Sequence, residues 1–274
     1  MFASIVATGI VGIGQSSAAS ASTGYRLEGG DGSLYAFHAT YRGSVGFPSP
    51  PGLGLRVYNF VGLASAQDGY WMVQSTGGIF VFGSAQKYGS LPGRGIKVDN
   101  IVGMAATADF GGYWMVSSTG TVYSFGDARS FGGARATDIV AIPSPDSGGY
   151  WLVGADGSVY TFGDAKGHGS CSQVGSACHG LTNIVGAASP DTGGYWLVSR
   201  TGQVFAFGNV RRHGSCSGAQ ASCRGVTDIV GIAAPGRGGY WLAGANGSVY
   251  QFGTAQFFGD ETSASLPRPI VAIS

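Results

Sequence analysis

Six copies of one unit of about 45 residues, 51 glycines in 274 residues and no sustained helical period predict an all-β fold. The architecture they imply is a six-bladed β-propeller with four antiparallel strands per blade. Its C-terminal strand is expected to close the first blade.

Composition narrows the class before the repeat is read. Glycine is near one residue in five, yet there is no Gly-X-Y period, which excludes collagen. Apolar residues make up 44% and charged residues 11%, which excludes a disordered charged tail. A net charge of +1 leaves no electrostatic footprint for nucleic acid.

The unit is marked by Trp71, Trp114, Trp151, Trp196 and Trp241, each after a Tyr. A sixth copy opens at Gly24-Tyr25, with Arg26 in the Trp slot. Residues 228–260 show the unit in full. IVGIA, apolar and small, is its first strand, and GYWLAG its second. Asn246-Gly247 reads as a type I′ hairpin, whose central residues both take positive φ. SVYQF, rich in β-branched and aromatic residues, is the third strand. A turn after Phe-Gly leads to a fourth segment that ends in an aromatic or His followed by Gly. The chain opens at 24 without an IVGIA segment and ends with one, PIVAIS, at 269–274. That strand is expected to pair with the first blade and remove an open edge.

Residues 2–13 are an apolar run without charge, followed by small residues and Ala19-Ser20-Ala21, an A-x-A cleavage pattern. Residues 1–21 therefore read as a signal peptide lacking its basic n-region, and 22–274 as a single propeller domain. A lipid-facing anchor and a buried N-terminal strand are the other readings of the run. After processing no stable transmembrane segment is expected, which places the product outside the cell or on its wall.

Cys171 and Cys178, and Cys216 and Cys223, form two local pairs in the similar segments HGSCSQVGSACHG and HGSCSGAQASCRG. An even count in local pairs reads as two disulfides of an exported protein. The rival, a zinc site with His168, His179 and His213, fits no standard ligand spacing.

The pattern GYWLV, Asp-Gly, VYxFGDA is clearest at Trp151–Ala165. It resembles the propeller-like repeats of secreted and cell-wall-associated actinobacterial proteins. The resemblance covers about residues 24–274 and implies surface location. Such repeats often accompany peptidoglycan hydrolases or other surface domains. The chain departs from the pattern at Arg26, His38 and the segment 43–59.

In this strand order the first strand lines the channel, and the residue before it stands at the channel mouth. That slot holds Asn59, Asn100, Asp138, Asn183, Asp228 and Pro269. The ring of amide and carboxylate oxygens would suit a hard cation such as Ca2+, or sugar hydroxyls. Asn and Asp also start strands by bonding local backbone, which needs no ligand. No other cofactor is implied. The turn between strands two and three and the link to the next blade should share this face. Those links include the loop 43–58, with Phe47, Pro48, Pro50, Pro51 and Tyr58, and both cysteine loops.

Catalytic signatures are scarce. No nucleophile elbow, P-loop or HExxH occurs. The two glutamates, Glu28 and Glu261, are expected in one blade. Asp127 and Asp164 read as turn residues. His168 and His213 fill a slot held elsewhere by Tyr88, Phe131 and Phe258, so packing explains them. The five tryptophans read as inter-blade packing, and Arg211-Arg212 as a solvated turn. Three functions follow. The first is a non-enzymatic exported module that binds a cell-envelope glycan or other extracellular ligand through the variable-loop face. The second is a structural or interaction component with a surface-protein partner. The third is a polysaccharide hydrolase or lyase with its site in the central funnel.

Overall fold

In the computed structural model, residues 24–45, 58–262 and 266–274 are described. The segment read as a signal peptide, 1–21, and residues 46–57 of the long loop lie outside them.

The chain opens with the hairpin β1 (Tyr25–Gly29) and β2 (Leu34–Phe37). Five three-stranded antiparallel sheets follow. They are β3 (Phe60–Ala66), β4 (Gly69–Gln74) and β5 (Ile79–Gly83); β6 (Ile101–Ala106), β7 (Gly112–Ser117) and β8 (Val122–Gly126); β9 (Ile139–Ala141), β10 (Gly149–Gly154) and β11 (Val159–Gly163). Then come β12 (Ile184–Asp191), β13 (Gly194–Ser199) and β14 (Val204–Gly208), and β15 (Ile229–Gly236), β16 (Gly239–Gly244) and β17 (Val249–Gly253). The last strand, β18 (Ile270–Ile273), pairs antiparallel with β1 in the register Leu27 to Ile273. The sixth sheet therefore has the order β18-β1-β2, and the chain ends complete one sheet.

The arrangement is propeller-like. First strands pack in series, β3 on β6, then β9, β12, β15 and β18, and β18 packs on β3 again. Glycine in these strands permits the approach. A Cβ on Gly62 would lie 3.3 Å from the Cα of Gly103 in the next sheet.

The middle strands are buried on both faces, and their alternate residues serve opposite neighbours. Trp71 faces the following sheet, where it meets Tyr113 at 5.6 Å between ring centroids. Trp71, Trp114, Trp151 and Trp196 are fully enclosed and Trp241 is 2% exposed, so each is core rather than a sugar-stacking platform. Replacing such a residue with Ala would cost about 3–5 kcal/mol.

The tyrosine that opens each middle strand, or stands second in it, ties its sheet to the preceding one through its hydroxyl. The hydroxyls of Tyr25, Tyr70, Tyr113, Tyr150, Tyr195 and Tyr240 donate to the carbonyls of Gly259, Gly43, Gly89, Gly132, Gly169 and Gly214. The Tyr25 bond spans the junction of the two chain ends. Burial pushes the phenols of Tyr70, Tyr113, Tyr195 and Tyr240 up to about 12.

Two expectations change. The sheets have three strands, not four. The fourth segment is held by side chains rather than by a ladder. Indole Nε1 groups donate to it, as from Trp71 to Gln86 O at 2.7 Å, and the tyrosine hydroxyls bond its far end. Glycines at positive φ, such as Gly83 (67°) and Gly89 (133°), turn it off the pleated path at both ends. The hairpins between second and third strands are also not type I′. Only their glycine has positive φ, as at Gly247 (89°). The pattern Gly32 N to Gly29 O and Gly29 N to Ser33 O is a three-residue loop with a glycine bulge.

Candidate ligand-binding face

The six slot residues share one rim through a repeated bond. Ser75 N donates to Asn59 O, Ser118 N to Asn100 O, Ala155 N to Asp138 O, Arg200 N to Asn183 O, Ala245 N to Asp228 O and Gly30 N to Pro269 O. The carbonyls of the same turn residues accept from the next sheet. Ile101 N bonds Ser75 O at 2.9 Å, and Ile139, Ile184, Ile229 and Ile270 repeat the bond on Ser118, Ala155, Arg200 and Ala245. Phe60 N on Gly30 O, at 3.3 Å, completes the circuit. A girdle of backbone bonds thus runs around the mouth and returns to its start.

Local backbone uses the carbonyls of the slot residues, while their side chains point in different ways. Asp138 leans over Gly154, where an added Cβ would lie 3.4 Å from both carboxylate oxygens. Asp228 stands likewise over Gly244. Asn59 adopts φ 69° and is exposed. Asn183 differs: its Oδ1 is buried without a hydrogen-bond partner. Among the described residues no three His, Cys, Asp or Glu side chains gather as a metal-ligand set.

The mouth opens on a cavity of about 320 Å³. Its walls are Val102, Val140, Val185, Val230 and Val271, the second residues of five first strands. Asn183 and Arg200 line its rim, whereas Asn59, Asn100, Asp138 and Asp228 do not reach it.

The links between sheets lie on the same face. Cys171 N bonds Gly157 O at 3.0 Å and Cys216 N bonds Gly202 O at 2.9 Å, which seats both cysteine loops against the second-to-third-strand turns. Val45, Leu91 and Glu261 make the same bond to Gly32, Gly77 and Gly247. Cys171–Cys178 and Cys216–Cys223 are disulfides, so their sulfurs are not zinc ligands. A second cleft, about 520 Å³, lies between the first disulfide loop and β14, with Arg212 at its edge. Val174 on that loop is 90% exposed.

Other singled-out residues have structural duties. His168 and His213 pack on Trp151 and Trp196, and their Nε2 atoms bond Thr192 O and Arg237 O at 2.9 and 2.8 Å. Tyr88 makes the same reach with its hydroxyl to Phe110 O. Asp127 and Asp164 fold over Gly111 and Gly148.

The two glutamates do not form a pair. Glu261 sits against the turn of the β15–β17 sheet, whereas Glu28 is fully enclosed in β1. Both Glu28 oxygens lack a hydrogen-bond partner, and burial holds its carboxyl well above the usual range. Sequence reasoning missed this burial, although the equivalent positions Val73, Val116, Val153 and Val198 signal it.

No helix among the described residues is long and apolar enough to cross a membrane. No family model matches the chain, and no curated protein does. A solved structure shares the fold. One extracellular domain, assigned to a hybrid two-component system of B. thetaiotaomicron, aligns with TM-score 0.50 and 12% identity over 93% of this chain. The alignment spans 33% of that chain, about a third of its length. A protein of unknown function from Bacteroides thetaiotaomicron aligns with TM-score 0.46 and 13% identity, over 90% of this chain and 76% of the other.

Proposed function

We propose that the chain is an exported, non-enzymatic six-bladed β-propeller that binds a cell-envelope glycan or another extracellular ligand through the face bearing the channel mouth. One observation carries this reading. The slot residues, the turns, both disulfide-stapled loops and the valine-walled cavity are gathered on a single face. Variable loops on a rigid ring are where binding resides, and stapled loops lose little entropy on binding. Two disulfides and the extracellular setting of the similar Bacteroides domain agree with export. The repeat's likeness to actinobacterial surface proteins supports a wall-associated site of action.

A second reading, a component of a surface assembly, is favoured by the cleft beside the exposed Val174. The two separate in a pull-down on peptidoglycan and envelope polysaccharide. Retention on a glycan supports the first. Failure on every glycan, with recovery of one specific protein, overturns it. Turnover of a glycan by purified protein overturns both in favour of a hydrolase or lyase.

A further inference from the structure

The sixfold rim is broken at one sector. The turn residues that carry the girdle are Gly30, Ser75, Ser118, Ala155, Arg200 and Ala245, so five are small and one bears a long cationic side chain. Arg200 is exposed, lines the cavity and has no ion pair among the described residues. Its own amide bonds the carbonyl of Asn183 at 2.9 Å. Asn183 is the slot residue whose side-chain oxygen is buried without a partner, and it lines the same cavity. For a ligand to reach that oxygen the amide must turn about χ2, whose well is broad. Below both stand the valines.

We infer that this sector binds an aliphatic carbon unit bearing a carboxylate and an N–H on one carbon, as in a free aliphatic amino acid or the C-terminal residue of a peptide. The inference rests on the reading of this face as the binding face. Each part of that chemistry answers one observation. An unpaired guanidinium seeks an anion and holds a carboxylate with paired N–H donors. A buried acceptor without a donor is costly until an N–H reaches it. Five valine walls reward an aliphatic side chain. The cavity, about 320 Å³, is in the size range of small-ligand pockets.

Calorimetric titration of the intact exported protein tests this with L-valine, N-acetyl-L-valine, valinamide and N-acetylglycine. Binding of valine or of N-acetylvaline is expected. Valinamide, which lacks the carboxylate, and N-acetylglycine, which lacks the isopropyl group, should each bind at least tenfold more weakly. Preference for free valine identifies an amino acid, and preference for the acetyl form a peptide end; both support the inference. Arg200→Gln, a surface change that should leave folding intact, is expected to weaken binding at least tenfold. Asn183→Ala should weaken N–H-bearing ligands more than isovalerate, which has no N–H. Binding of neither acid, equal binding of valinamide, or indifference to Arg200→Gln overturns the inference. Retention on an envelope glycan together with any of these would leave the binding-module reading standing.

Discussion

Arg26 donates through Nε to the carbonyl of Thr40 at 3.1 Å, and this bond replaces one that tryptophan makes in each of the other five sheets. There, indole Nε1 reaches the carbonyl fifteen residues on, at 2.7 to 2.9 Å. The guanidinium also lies 5.1 Å from the centre of the Tyr70 ring, where a tryptophan would meet the next tyrosine. It gains a further bond to Ser65 Oγ at 3.3 Å. The departure from the repeat conserves the contacts and changes the chemistry. Arg26→Ala should cost about 2–3 kcal/mol by urea unfolding, through lost charged hydrogen bonds and the ring contact. Arg26→Trp should recover most of that loss. Equal damage from both would show that the slot is not shared.

Glu28 stands where four other middle strands carry valine, and it has no partner. Its folded-state pKa is raised above the ordinary 4.5. The unfolded chain therefore releases the proton first, so stability is lost as pH rises through the carboxylate range toward the folded value. Glu28→Met, similar in length and without polar atoms, should stabilise the protein by about 1–3 kcal/mol at neutral pH. The gain should shrink below about pH 4, where both states are protonated. Melting curves from pH 3.5 to 8 check the sign, and a gain that grows on acidification would contradict it.

His38 adopts φ 54° at a position where the other five sheets place glycine between 67° and 80°. Its ring stacks on Phe258 at 4.8 Å, which offsets part of the left-handed backbone cost. His38→Gly is expected to raise stability by up to about 1 kcal/mol. A fall in melting temperature would mean that the stack outweighs the strain.

Each disulfide closes a loop of eight residues, 171–178 and 216–223. In the chain-entropy model such a loop contributes about 2.5 kcal/mol. Replacing Cys171 and Cys178 together with Ala should lower stability by that order. Non-reducing peptide mapping should recover both local pairs and no crossed ones.

Much of the fold could be read from the sequence because the repeat is strict. The six units, the return of PIVAIS to the first sheet and the cysteine pairing all follow from spacing, and each is present. The missing fourth strand was illegible because the segment ends in aromatics that look strand-like. Those rings instead pack between sheets, and the backbone is held by tyrosine and tryptophan side chains. The rim was legible as a ring of slots, but not its asymmetry. That Asn183, alone of the slot residues, lines the cavity together with Arg200 depends on side-chain direction, which a spacing pattern does not carry.

The most direct test of the binding-face account is retention of the exported protein on isolated peptidoglycan and envelope polysaccharide. The set should include wild type, Arg200→Gln and a variant with Asp138 and Asp228 changed to Ala. The account predicts that wild type is retained and that changes at the mouth weaken retention while leaving the melting temperature near wild type. Retention that is absent throughout, or equal in all three proteins, would contradict it.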